Sequence, residues 1–147
     1  MTEKILNLTQ HRATPEQLAA GVVDLLEWEQ AEVARLLTFD TLPTRADLKE
    51  RANELAEFAR EALLVRESPA VRDQMMNEVI DAGPGVCFGY VMVGGAGFFM
   101  PFLERALEEY QVGVRHAFSV RESVEETLPD GSVRKINIFR HVGFVEV

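Results

Sequence analysis

Thr9-Gln10-His11-Arg12 sets a hydroxyl, a carboxamide, an imidazole and a guanidinium on four consecutive residues, directly after the short run Ile5-Leu6-Asn7-Leu8. An imidazole titrates near neutral pH and can serve as general acid or base, and a guanidinium can take two oxygens of one phosphate. That combination suits the binding of a phosphorylated ligand or, with His11 as the catalytic residue, the cleavage of a phosphodiester. No partner base for His11 is identifiable from the sequence, so a capping or packing role stands beside the catalytic one. A second set, Gly94-Gly95-Ala96-Gly97, interrupts the uncharged stretch from Val86 to Leu103. Glycines there let backbone approach a phosphate, and a helix starting after them would aim N–H groups and its positive dipole end at the anion. They equally permit a helix to pack closely on a strand. A third set, Ser119 and Arg121, follows the apolar-alternating segment that begins at Val112.

Thr9, Gln10, His11, Arg12, Gly94, Gly95, Gly97, Ser119 and Arg121 are therefore the candidate ligand-binding residues, with His11 the one catalytic candidate. The glycine spacing matches neither the G-x-G-x-x-G of dinucleotide-binding turns nor a P-loop, which would end in Lys-Ser/Thr. No G-x-S-x-G elbow is present, which removes a serine-hydrolase reading. His11, His116 and His141 lack metal-ligand spacing, and the single Cys87 excludes an internal disulfide or a thiolate zinc cluster. No metal and no cofactor is assigned, and whether the chain is an enzyme stays open.

The elements that must position these residues read clearly in part. Ile5–Leu8 is a strand, and Thr14-Pro15-Glu16-Gln17 carries an N-cap, a proline at the first helical position and a capping-box glutamine. A break is expected near Gly21, with a short strand left open between residues 21 and 85. Helices follow over Glu27 to Leu37, from Thr44 with Leu48, Ala52, Leu55, Ala59 and Leu63 along one side, and from Ser68-Pro69 to Gly83-Pro84. A strand from Val86 and a helix carrying Phe98, Phe99, Phe102, Leu103 and Leu107 come next, with the aromatic group assigned to the core. Val112 to Ser119 is a third strand, and Leu128-Pro129-Asp130-Gly131 turns between Ser123–Thr127 and Ser132–Phe139. The whole predicts one α/β domain over residues 1–147. Its sheet is three-layered, Rossmann-like and mostly parallel, with a long helical insertion after the first strand and a C-terminal antiparallel hairpin. In such a sheet the carboxyl ends of the strands form the ligand crevice, so the turns after Leu8 and Val93 face one pocket.

Composition narrows the partners. Fifteen Lys and Arg against 24 Asp and Glu give a net charge of −9, which disfavours duplex DNA. Arg115, Arg121, Arg134, Lys135 and Arg140 gather near the C-terminus, where they form either a solvated strand face or a basic rim for a small phosphorylated ligand. Ala82 to Leu103 is uncharged, but Gly83-Pro84-Gly85, the glycine turn and Pro101 divide it, so no membrane span is expected. The lone cysteine and the absence of a signal-like N-terminal segment suit a cytoplasmic location.

The opening Ile5-Leu6-Asn7-Leu8-Thr9-Gln10-His11, followed by Thr14-Pro15-Glu16-Gln17-Leu18, resembles that of small CRISPR-associated proteins with a Rossmann-like fold, and the Gly94 to Leu107 turn and helix fit that pattern loosely. The resemblance implies kinship with sensor domains that bind cyclic oligoadenylates, commonly as dimers with the ligand across the two-fold axis, some of which cleave it. The expected function is thus binding of a nucleotide or other phosphorylated small ligand by a homo-oligomer, with a dimer favoured. The alternatives are a non-enzymatic oligomeric interaction protein and a phosphodiesterase acting on a nucleotide messenger.

Overall fold

The computed structural model describes residues 3–147. Ile5–Leu8 forms β1 with all four residues buried. Thr14 caps α1 (Pro15–Ala19): its hydroxyl accepts from the Gln17 N–H, and the Gln17 side chain accepts from the Thr14 N–H. Gly21, at φ 109, ends that turn of helix in a conformation that favours glycine. The two β-branched residues after it, Val22–Val23, become β2. Then come α2 (Glu27–Leu37), α3 (Arg45–Val65, capped by Thr44) and α4 (Pro69–Ala82, capped by Ser68). β3 (Tyr90–Val93), α5 (Met100–Glu109), β4 (Gly113–Thr127) and β5 (Val133–Glu146) complete the chain. β3 starts later than the apolar run suggests, and Phe98 and Phe99 lie in the turn before α5.

The five strands lie in the order β2-β1-β3-β4-β5; the first four are parallel and β5 is antiparallel. From β1 the chain steps outward through α1 to β2, then returns through α2, α3 and α4 past β1 to β3. The direction of winding therefore reverses between β1 and β3, and in open α/β sheets such a point splays the loops at the strand ends apart.

The two sheet faces are covered unequally. Leu6, Leu8, Val91, Val93 and Val114 point into the main core with Val33 and Leu36 of α2, Leu55 and Ala59 of α3, and Leu103 and Leu107 of α5. On the other face Ile5, Val22 and Met92 are packed by Ala13, Tyr90 and Phe144. The five-residue α1, which has no buried residue, crosses on that side and accepts the His141 N–H through Glu16.

β3 pairs with β4 only from Gly113 to Arg115, so beyond Ala117 the β4 strand pairs with β5 alone. The expected short hairpin is instead a long two-stranded ribbon, with a register shift between Phe118 and Ser119 that leaves Val142 as the extra residue on β5. At its tip the Asp130 carboxylate accepts from the Ser132 N–H and Gly131 takes φ 86.

Candidate ligand-binding site

The loop after β1 is built on one buried side chain. Asn7 is 2% exposed. Its Nδ2 donates to the His11 carbonyl at 2.7 Å and to the Asp24 carboxylate at 2.8 Å. Its Oδ1 accepts from the Thr9 N–H at 3.1 Å and lies 2.7 Å from the Thr9 hydroxyl. The same Asp24 oxygen accepts from the Ala13 N–H, so the residue that follows β2 clamps both ends of the loop. An amide with both donors and its acceptor engaged in a dry place fixes backbone, since leaving any of them unpaired would cost about 1–3 kcal/mol. The consequence is that Gln10, His11 and Arg12 are held outward with their side chains exposed. His11 contributes its carbonyl to the network, and no hydrogen bond of its ring is seen among the described residues.

The glycine turn sits beside this loop. A Cβ on Gly94 would lie 3.4 Å from the Thr9 Cγ2, so the two segments named from the sequence meet here. Gly95 has φ 146 and a Cβ there would meet Met100 and Leu37 at 3.4 and 3.5 Å; its glycine is required by conformation. Gly97 has nothing within 4 Å of a Cβ, so packing makes no demand on it and its backbone is open to approach. Ala96 accepts from the Phe99 and Met100 N–H groups, and α5 begins without a side-chain cap. Phe98, half exposed, stands at the rim against Phe39, ring centroids 5.1 Å apart.

Ser119 and Arg121 are placed differently. Leu8 pairs with Val93, and Met92 with Arg115, so Leu8 is level with His116 two strands away. Ser119 lies three residues further along β4, about 10 Å beyond that level, and Arg121 about 16 Å beyond it. Both belong to the middle of β4 rather than to a strand end. Three of the five cations near the C-terminus are paired: Arg134 meets Glu126 at 2.8 Å, Arg140 meets Glu122 at 3.0 Å, and Arg115 lies 3.0 Å from Glu146 and 3.5 Å from Glu3. These carboxylates were invisible as partners in sequence because the pairing depends on cross-strand register. The histidines stay apart. His116 contacts Glu104 of α5 at 2.6 Å, and the His141 ring packs against Phe144, both ring nitrogens buried. No group of three or more potential metal ligands occurs among the described residues.

A cavity of about 630 Å³ lies at the other end of β3 and β4, beside Cys87, Tyr90, Arg115, Glu104 and Glu108. The Arg115 guanidinium stacks on the Tyr90 ring, 3.9 Å from its centroid. A hydrogen bond with Cys87 pushes the Tyr90 phenol above its usual range, with the cysteine's charge and burial adding to it and Arg115 opposing. Cys87 is thus half-buried at a cavity wall instead of sealed in the core. Sequence reading missed this set, since its members lie far apart along the chain.

No helix among the described residues is long and apolar enough to cross a membrane. No curated protein and no solved structure was found to match the chain. The model of the Uncharacterized protein MJ1673 family matches residues 3–145, and the chain belongs to that family.

Proposed function

We propose that this member of the Uncharacterized protein MJ1673 family binds a small phosphorylated ligand of nucleotide type where the loop Thr9–Arg12 meets the turn Gly94–Gly97. The observation that carries the reading is the reversal of winding between β1 and β3, whose two following loops are in contact through Thr9 and Gly94. Ligands of open α/β sheets collect at such a point, outside the carboxyl ends of the strands, because the connections there leave toward opposite faces of the sheet, here α1 to one side and α5 to the other. Read this way, the fold is a Rossmann-like sheet with one helical layer reduced to α1. The Gly97 and Phe98 N–H groups, just before α5, are offered to a phosphate, Arg12 supplies charge, and Phe98 also presents a half-exposed ring for a base to stack on. Gln10 and His11 are exposed on the same loop and can hydrogen-bond to a sugar or base edge.

The test is thermal unfolding of the full chain with inorganic phosphate, AMP, ATP and a cyclic oligoadenylate, the last chosen because the opening residues resemble the small CRISPR-associated Rossmann-like proteins. A ligand bound only by the native state adds about 2.7 kcal/mol when present at 100 times its dissociation constant. A saturable rise in Tm that Arg12→Ala reduces and Gly97→Val abolishes supports the site. Gly97 serves here because a side chain at that position has open space, so the fold should survive the change. No rise at roughly 1 mM of any probe, where binding of about 4 kcal/mol would register, overturns the reading.

A further inference from the structure

The projecting ribbon is amphipathic although, among the described residues, nothing packs over its helical-side face beyond Ala117. Val114 faces the helical core and His116 reaches Glu104 of α5, so the even-numbered residues of β4 point to the helical side of the sheet. Alternation carries that face outward as Phe118, Val120, Glu122, Val124 and Glu126, and the register sets Arg140, Ile138, Ile136 and Arg134 beside the last four. The opposite face carries Ser119, Arg121, Ser123, Glu125, Thr127, Asn137 and Lys135, with Phe139 and Val133 its large apolar side chains between those rungs. One face thus gathers Phe118, Val120, Val124, Ile136 and Ile138 around paired charges and the other is mainly polar, the bias that one buried face and one wet face produce. A two-stranded ribbon of about 36 Å past Ala117 is marginal by itself in water.

We infer that the helical-side face of this ribbon is the contact surface for a second copy of the chain, the two ribbons packing face to face in a closed, two-fold arrangement. Charge selects that occupant. Residues 117–147 hold four basic and five acidic residues, whereas residues 1–116 hold eleven and nineteen, so the ribbon carries −1 of the total −9. Two copies approaching through their bodies repel each other, and the ribbon is the near-neutral surface on which they can meet. Within the face, Glu122 pairs with Arg140 at 3.0 Å and Glu126 with Arg134 at 2.8 Å, so covering it buries no unpaired charge. A partner of opposite charge would be drawn to the acidic body, while a neutral, internally paired, apolar face fits best against its own copy, as an isologous contact requires.

Sedimentation equilibrium of the full chain tests this. A reversible dimer is expected, tighter at high salt because screening relieves the repulsion between the acidic bodies. Ile136→Lys with Ile138→Lys puts two like charges per copy at the centre of the contact and should weaken dimerisation by about 100-fold or more. Val124→Lys, on the partner strand, should do the same, and circular dichroism and a retained cooperative unfolding transition confirm for each variant that the body is folded. Phe139→Ser, on the wet face, should leave the dimer intact. A monomer up to roughly 1 mM, a dimer that survives both lysine variants, or one lost in Phe139→Ser overturns the inference.

Discussion

Gly113 illustrates how one residue type is dictated by a neighbour across the sheet. A Cβ at that position would lie 2.6 Å from Tyr90 Cε1 and 3.3 Å from Cys87 Sγ, and the ring it would strike carries the Arg115 guanidinium on its face. Gly113→Ala should therefore destabilise by about 1–3 kcal/mol, the usual result of overfilling a packed site. Urea unfolding of Gly113→Ala, Tyr90→Ala and the double variant checks it. If the ring is the obstacle, the alanine costs much less in the Tyr90→Ala background; equal costs in both would trace the effect to backbone instead. Little of this was legible in sequence, where Gly113 is an ordinary residue at the start of a strand. The same holds at the proposed site: Thr9 to Arg12 could be picked out by residue type, but Asn7 and Asp24, which shape that loop, are 17 residues apart and only the polar Asn7 inside an apolar run hinted at them.

Elements were far more legible than their joints. The caps at Thr14, Thr44 and Ser68 and the prolines after two of them announce helix starts because those signals are local, and the helices begin there. What local signals do not carry is how the ends are tied. The last turn of α4 is anchored by Gln111, whose Nε2 lies 2.8 Å from the Val79 and Gly83 carbonyls and 3.1 Å from that of Val86. Gln111 is also the one non-glycine residue with positive φ, 57, among the described residues. Gln111→Ala should lose the tie and keep the strain, while Gln111→Gly loses the tie and relieves it, so the alanine variant should be the less stable by about 1 kcal/mol. Both should speed amide exchange in the last turn of α4 and leave α3 untouched; no change in α4 would show that the amide anchors nothing. The ribbon makes the same point, for the turn at Asp130-Gly131 was readable, yet the reach of β4 and β5 depends on where β3 stops pairing.

For the whole molecule the sequence gives net charge but not the arrangement of charges, and stability against acid depends on the arrangement. Glu29 is 2% exposed, and its carboxylate takes hydrogen bonds from Arg66 at 2.6 and 3.1 Å and from the Leu26 N–H at 2.9 Å, tying the start of α2 to the residue after α3. Burial by itself would raise its pKa, but the bonds from Arg66 and Leu26 and the guanidinium's charge outweigh it and hold the group below its ordinary 4.5. A carboxyl depressed in the folded state stabilises fully above its unfolded value, and that contribution is lost as the pH falls through the folded value. Glu29→Gln leaves Arg66 facing an amide and should cost about 3 kcal/mol at neutral pH. The difference between the two proteins should then shrink as the pH is lowered below about 4.5, because the wild-type carboxyl becomes the uncharged group that the variant already has. Denaturation midpoints measured from pH 7 down to pH 3 give both curves. Were the gap between them constant with pH, the carboxylate's charge would not be what joins the two helices, and hydrogen bonding alone would have to account for the tie.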